Sequence, residues 1–515
     1  MAQAAGGKMH AIWRDRITSP MIISFFSALI CGILAHGFAL FNKFSWHDDL
    51  FFMFSPGSTV TSGRWALHLL SWLEDLFFMD GHFSMPLYNG IIAILCVALS
   101  ASLVVDLLKI RSGLLSGCLG CIMVAFPAIT GIFAYNFTIH YYMFALLLMV
   151  AAAWLMCRGR HWWSWVLAIV LCSSGLGIYQ ALLSVVLFLL LMDAIMGLTE
   201  REEKISVLAK RILLQFLCLA LIMALYFIAN DLFLKKLNMT LYYPASETGN
   251  VTVPEYLARV GRAYAEFFNP VRYESWDMYP YRIHTMYYLM LAGDLLLSLR
   301  LLWLTARKRK GIALLLLVLL ALIPLGCNFT FVLADHVHGL MTYGQVMQVA
   351  FFVFLFDRLE LRLPRLRQLV SGVSAAVLAV TGLLYVRLAN ECYLKAEFQQ
   401  QESISFFTTL ITQIKSSEDY RADRPVLFVH EMSIIDPTVT DIREMDAIRT
   451  VSYQFTTLEY INNYTWAEFM ELWCGFTPVY CRDRELEKMP EIQAMPRYPD
   501  AGSIQLVDDI LVVNF

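Results

Sequence analysis

Long apolar runs, each broken off by a short polar segment, recur from Pro20 to Leu388. A run of about 20 apolar residues spans a bilayer as a helix, and repeated runs of that length leave few other folds open. With 58% hydrophobic and only 16% charged residues, the chain is too apolar for a soluble enzyme. The predicted spans are Pro20 to Leu40, Pro86 to Leu108, Gly113 to Phe133, Phe137 to Met156, a pair within Trp162 to Met196, Ile212 to Ala229, Thr285 to Leu304, Ile312 to Phe331, Gly339 to Phe356 and Leu369 to Leu388. Counting the pair as two gives about eleven transmembrane helices. The pair divides at Ser173-Ser174-Gly175-Leu176-Gly177.

Charge placement orients the spans. Lys8, Arg14 and Arg16 precede the first, and Lys109 and Arg111, Arg158 and Arg160, Arg201 to Arg211, Arg307 to Lys310, and Arg358 to Arg367 all fall on the same side of the alternation. Basic loops are cytoplasmic loops, so loops 42–85 and 230–284 and everything after residue 390 are expected outside. The basic clusters are short and dispersed, which argues against a nucleic-acid partner. Most of the eleven cysteines lie inside apolar runs and read as small hydrophobes, Cys118 and Cys121 included. Cys474 and Cys481, in a polar region, could pair if that region is outside.

Two domains are expected: a membrane part over 1–390, and an extracytoplasmic α/β domain over 391–515, where the composition turns soluble. There, Glu397 to Ser416 and Trp466 to Cys474 read as helices, and Pro425 to His430 and Ile510 to Phe515 as strands. The loop 230–284 is rich in Tyr, Trp and Pro, and loops of that length are usually functional.

The chemistry centres on Ser45-Trp46-His47-Asp48-Asp49, just past the first span, with Ser62-Gly63-Arg64-Trp65 on the same loop. Adjacent carboxylates at a membrane edge are costly to desolvate and mark functional sites. Asp48 and Asp49 suit a general base that takes a proton from an attacking hydroxyl, while a divalent-metal site and a helix cap are the alternatives. Their side chains point about 100° apart on a helix, so only one serves as base and the other binds the acceptor. A leaving phosphate needs positive charge, for which Arg64, Arg272, Arg282 and His284 are candidates. His47, Tyr135, Asn136, Tyr179, Gln180 and Asp277 are the expected substrate-binding groups. His140, alone in an apolar context, reads as a hydrogen-bonded core residue, and Asp335-His336-Val337-His338 as a loop facing water. No metal and no cofactor are expected.

An outer loop with Asp48 and Asp49, then Ser62-Gly63-Arg64-Trp65, Asn136-Phe137-Thr138 and Ile178-Tyr179-Gln180-Ala181, resembles the bacterial glucosyltransferase II family, the serotype-converting O-antigen type. The resemblance implies a GT-C-like membrane glycosyltransferase in the bacterial cytoplasmic (inner) membrane, its active site on the extracytoplasmic face. It further implies a polyprenyl-phosphate sugar donor, usually carrying glucose, a cell-surface glycan acceptor such as O-antigen, and metal-independent transfer with inversion. On that pattern the catalytic carboxylate of the first outer loop falls on Asp48 or Asp49. A lipid-linked sugar flippase would favour internal repeats and charge at mid-membrane, which this sequence lacks. An O-antigen polymerase or ligase shares the topology but needs no base directly after the first span.

Overall fold

The computed structural model describes residues 17–45, 48–79, 81–159, 161–241, 251–270, 281–359, 364–429 and 465–515. Among them, nine helices are long and apolar enough to cross a membrane, and two shorter apolar helices, Trp162–Leu176 and Tyr343–Asp357, accompany them. The chain is a mostly helical, multi-pass membrane protein. The expected count of spans is reached only if the two shorter helices are crossings as well.

The first long helix is α1 (Ser19–Phe41), with Pro20 in its opening turn, where a missing N–H is harmless. A short α2 (Asp48–Phe51) and the longer α3 (Trp65–Phe78) occupy the loop that leads to α4 (Pro86–Leu108). The next span is divided into α5 (Gly113–Ala125) and α6 (Pro127–Phe133), because Pro127 forces Phe126 into an extended conformation. Then come α7 (Ile139–Arg158), α8 (Trp162–Leu176), α9 (Leu183–Thr199) and α10 (Ile205–Leu237).

Helix α1 packs on α4 and α5 along a seam of small residues. Gly120 lies so close to α1 that an added Cβ would stand 2.3 Å from the Ser24 carbonyl oxygen. Such close approach is how membrane helices gain contact without a hydrophobic driving force. His36, fully buried in α1, hydrogen-bonds the Val124 carbonyl at 3.0 Å through Nε2 and Tyr393 Oη at 2.8 Å through Nδ1. Since a carbonyl only accepts, Nε2 carries the proton and Nδ1 accepts from the tyrosine.

Within the long aromatic loop, α11 (Val253–Phe268) is amphipathic, its Glu255 carboxylate accepting from the Thr252 N–H at 2.6 Å. Val253 and Leu257 are exposed, whereas Ala263 and Phe267 are buried. The helices α12 (Tyr281–Lys308), α13 (Lys310–Ala321), α14 (Ile323–Cys327), α15 (Thr330–Leu333) and α16 (Val346–Asp357) follow. Asp335 and His336 between α15 and α16 are largely exposed.

The last membrane helix does not stop near residue 390. Helix α17 (Pro364–Ser416) continues for 53 residues, about 80 Å at 1.5 Å per residue, well beyond a bilayer's hydrocarbon core. Beyond it lies a four-stranded sheet of order β2-β1-β4-β3, formed by β1 (Pro425–Val429), β2 (Val479–Tyr480), β3 (Ile504–Val507) and β4 (Ile510–Asn514). Strand β1 runs parallel to both neighbours, and β3 and β4 form a hairpin. Its two turn residues, Asp508 and Asp509, both have positive φ, as a type I′ turn requires. Helix α18 (Trp466–Cys474) packs Trp466 on Phe428 and Phe469 on Phe407 of α17. Cys474 and Cys481 stand as separate thiols.

Candidate active site

Asp49 is wholly buried at the foot of α2 and is held from every side. Its Oδ1 accepts from Ser84 Oγ at 2.6 Å and from the Phe137 N–H at 3.2 Å, and its Oδ2 accepts from the Lys43 ammonium. Lys43 Nζ also donates to Ser84 Oγ at 2.7 Å. Asn136 adds its Oδ1 3.2 Å from Ser84 Oγ, and its backbone carbonyl accepts from Asn89 Nδ2 at 2.9 Å. A buried charge is tolerable only when paired and hydrogen-bonded in this way. Asp48, the neighbouring residue, is partly exposed. Of the two aspartates, Asp49 joins the ends of α1, α4 and α7, and Asp48 is the more accessible.

Arg64 is positioned by a turn that only glycine makes easily. Gly63 has φ +73°, and its carbonyl accepts from Gln180 Nε2 and Tyr226 Oη, both at 3.1 Å. An added Cβ would fall 2.6 Å from the Tyr226 hydroxyl. The first free N–H groups of α3, those of Ala66 and Leu67, donate to the Gly177 carbonyl at 2.9 and 3.2 Å. The Ser173 to Gly177 break thus serves as the cap of the loop helix. From this seat the Arg64 guanidinium stands 5.4 Å from the centre of the Tyr142 ring, which stacks on Tyr179 at 4.2 Å. Arg64 Nε is buried and makes no hydrogen bond among the described residues. Gln180 is therefore engaged in holding the turn, and Tyr179 in stacking and in donating to the Leu340 carbonyl at 3.3 Å.

A further cluster was not foreseen. Tyr141 donates to Glu74 Oε2 and lies 2.8 Å from His82 Nε2. Glu74 Oε2 is 3.8 Å from both His82 Nδ1 and His140 Nε2, and Asp75 Oδ1 is 4.0 Å from His82 Nδ1. Burial works to raise the Glu74 carboxyl, but the His140 imidazole and the Tyr141 hydroxyl outweigh it and hold it below the usual glutamate range. Burial pushes His82 below the usual histidine range, against the pull of Glu74. His140 is buried with neither ring nitrogen hydrogen-bonded among the described residues, unlike the hydrogen-bonded core histidine the sequence suggests. The only hint in the sequence was the pair of acids on an otherwise apolar loop helix.

The clusters adjoin. His82 and Ser84 share one short loop, and Asn136, Phe137, His140, Tyr141 and Tyr142 share the start of α7. Beside them a groove of about 740 Å³ is lined by Lys43, Met53, Ser84 and Met85 and by Leu87, Tyr88, Ile91 and Ile92 of α4. Helix α18 packs against α2, and the Ser45 N–H donates to Gln400 of α17 at 3.3 Å, so the sheet-bearing part abuts Asp48. Tyr135 is partly exposed, 6.3 Å from the Phe137 ring. Arg282 is exposed and His284 buried at the start of α12. His47, Arg272 and Asp277 lie outside the described residues. Among the described residues no group of three or more His, Cys, Asp or Glu side chains is arranged to hold a metal ion.

No curated protein and no solved structure matches the chain. The model of one family, described as glucosyl transferase GtrII, matches residues 37–356, which take in the end of α1, every cluster above and all helices to α16. With well over half its length matched, and the matched part carrying the whole candidate site, this membrane protein belongs to the glucosyl transferase GtrII family.

Proposed function

We propose that this glycosyltransferase moves a hexose, glucose by family, from a polyprenyl-phosphate donor to a glycan acceptor on the extracytoplasmic face of the bacterial cytoplasmic membrane. The groove beginning at Lys43 carries this reading: one end is an ammonium, the wall is apolar, and Leu87 and Tyr88 lie open to lipid. That polarity suits a single occupant, a lipid whose phosphate meets Lys43 and whose chain lies along α4. An ammonium has three donors, of which Asp49 and Ser84 occupy two.

In the proposed reaction an acceptor hydroxyl attacks the anomeric carbon, and Asp48 takes its proton. The bond from that carbon to the phosphate oxygen breaks, and the leaving phosphate is stabilised by Lys43 and Arg64. Attack opposite the leaving group inverts the anomeric centre. Asp49 orients Lys43 in this scheme. Arg282, His284 and Arg272 are a second cationic set for the phosphate, and Asn136 and Tyr135 face the acceptor side in this scheme. The charge alternation of the loops supports the outer orientation.

The test uses purified protein with undecaprenyl-phosphate [14C]glucose and lipopolysaccharide-bearing membrane extract. Transfer of label to glycan by the wild type, and its loss in Asp48→Asn, is the expected result. Wild-type rates in Asp48→Asn would overturn the assignment of the base. No transfer and no donor binding by the wild type would overturn the donor.

A further inference from the structure

We infer that Glu74, Asp75, His82, His140 and Tyr141 form the subsite that binds the hydroxyl groups of the donor's hexose. The inference rests on the lipid-linked donor proposed above and adds where its sugar sits.

An ionised carboxylate only accepts, so the Tyr141 hydroxyl gives its proton to Glu74, and the Tyr141 oxygen accepts from His82 Nε2–H. His82 Nδ1 is then a bare acceptor. It faces two more acceptors, Glu74 Oε2 at 3.8 Å and Asp75 Oδ1 at 4.0 Å, each too far for a direct hydrogen bond. His140, more than nine-tenths buried, adds one N–H and one acceptor, neither in hydrogen-bond contact with another described residue, its Nε2 aimed at Glu74 from 3.8 Å. Buried polar atoms left in this state cost stability unless something completes them.

A completing ligand must bring several donors and at least one acceptor at close spacing. Neighbouring sugar hydroxyls do so, each giving one hydrogen and accepting another. A phosphate would meet acidic side chains and is excluded by charge. The imidazole of His82 stacks on Tyr141 with rings 5.6 Å apart, giving an aromatic wall beside the polar atoms.

Placement then selects the donor sugar over the acceptor. His82 is two residues from Ser84, which lines the groove head beside Lys43. A hexose joined to a phosphate at Lys43 is carried next along that loop, into the cluster. An acceptor glycan comes from the aqueous side, where Asp48 is accessible.

The test compares equilibrium binding of undecaprenyl-phosphate glucose and of bare undecaprenyl phosphate to purified full-length protein in detergent. The wild type is expected to prefer the glucosylated lipid. Glu74→Gln and His140→Ala should each lose that preference by about ten-fold, the size of one hydrogen bond to a charged group, with bare-lipid binding kept as evidence of folding. Tyr141→Phe, which leaves the ring, should lose less. Preference retained in Glu74→Gln and His140→Ala would overturn the inference, as would a wild type that binds both lipids alike, an outcome that leaves the donor assignment standing. A wild type that binds neither lipid removes the donor assignment and this inference together.

Discussion

Lys43 and Asp49 form an ion pair across the turn that leaves α1, with the carboxylate wholly buried and the ammonium largely so. The same Lys43 heads the groove along α4, so one cation ties a structural carboxylate to a lipid-facing cleft. Removing one partner of a buried pair leaves the other uncompensated, typically at about 3–5 kcal/mol. Asp49→Ala should therefore lower the thermal unfolding temperature in detergent sharply and reduce transfer as a consequence. Asp48→Asn should leave unfolding unchanged while transfer is lost, and thermal scans run beside radiolabel transfer separate the two.

Gly63→Ala meets both a left-handed backbone and the Tyr226 hydroxyl. The expected cost is about 1–3 kcal/mol of stability, with Arg64 displaced from Tyr142 and transfer reduced at least ten-fold. Adding Tyr226→Phe removes the clashing oxygen but leaves the φ penalty, so the double variant should recover part of the stability. A double variant no better than Gly63→Ala would show that the contact with Tyr226 is not what restricts this position.

Acid should weaken the protein in two steps. His82 is buried neutral with its pKa lowered, so the unfolded chain takes up a proton first, and stability falls as pH drops below the ordinary histidine value of 6.5. Glu74 is also lowered, from 4.5, so its contribution is complete above that value and is lost as pH falls further toward its folded pKa. Unfolding temperature against pH should therefore flatten below pH 6.5 in His82→Gln, and below pH 4.5 in Glu74→Gln. Curves parallel to the wild type would contradict the assignment.

Filling the groove should affect the donor alone. Ile91 lines it and is partly exposed, so Ile91→Trp adds bulk where a lipid chain would lie without disturbing the packed face of α4. Steady-state transfer should show KM for undecaprenyl-phosphate glucose raised about ten-fold with kcat kept, the pattern of lost uniform binding. An unchanged KM would place the lipid elsewhere.

The long spans were legible because length and hydropathy are local: Pro86 to Leu108 is a helix with the bounds expected of it. Strand β1 ends at Val429, close to its expected end, and α18 spans Trp466–Cys474 as expected. The short segments α14 and α15 were merged into one span because an apolar run does not reveal how proline and buried polar groups divide it. Strand β3 was missed because its hairpin turns on two aspartates, where Asn-Gly or Asp-Gly would be the usual signal. The Glu74, His82 and Tyr141 cluster was not legible, because Glu74 and Tyr141 are 67 residues apart and meet only when α3 folds back over the start of α7. Two adjacent carboxylates past the first span made the acidic pair legible, but not the division between buried Asp49 and accessible Asp48, which depends on Lys43 and Ser84 closing around one of them.

Helix α17 is fixed to α1 by the bond between His36 and Tyr393 and then runs unbroken to Ser416, a short turn before the sheet. A continuous helix carries rotational phase as well as length. One residue inserted near Ser405 would turn everything beyond it by about 100° and lift it by about 1.5 Å, carrying α18 away from α2. Seven inserted residues would bring the same face round to within about 20° of its starting direction, but some 10 Å farther out. The helix thus works as a threaded shaft, setting both the height and the bearing of the sheet-bearing part against α2.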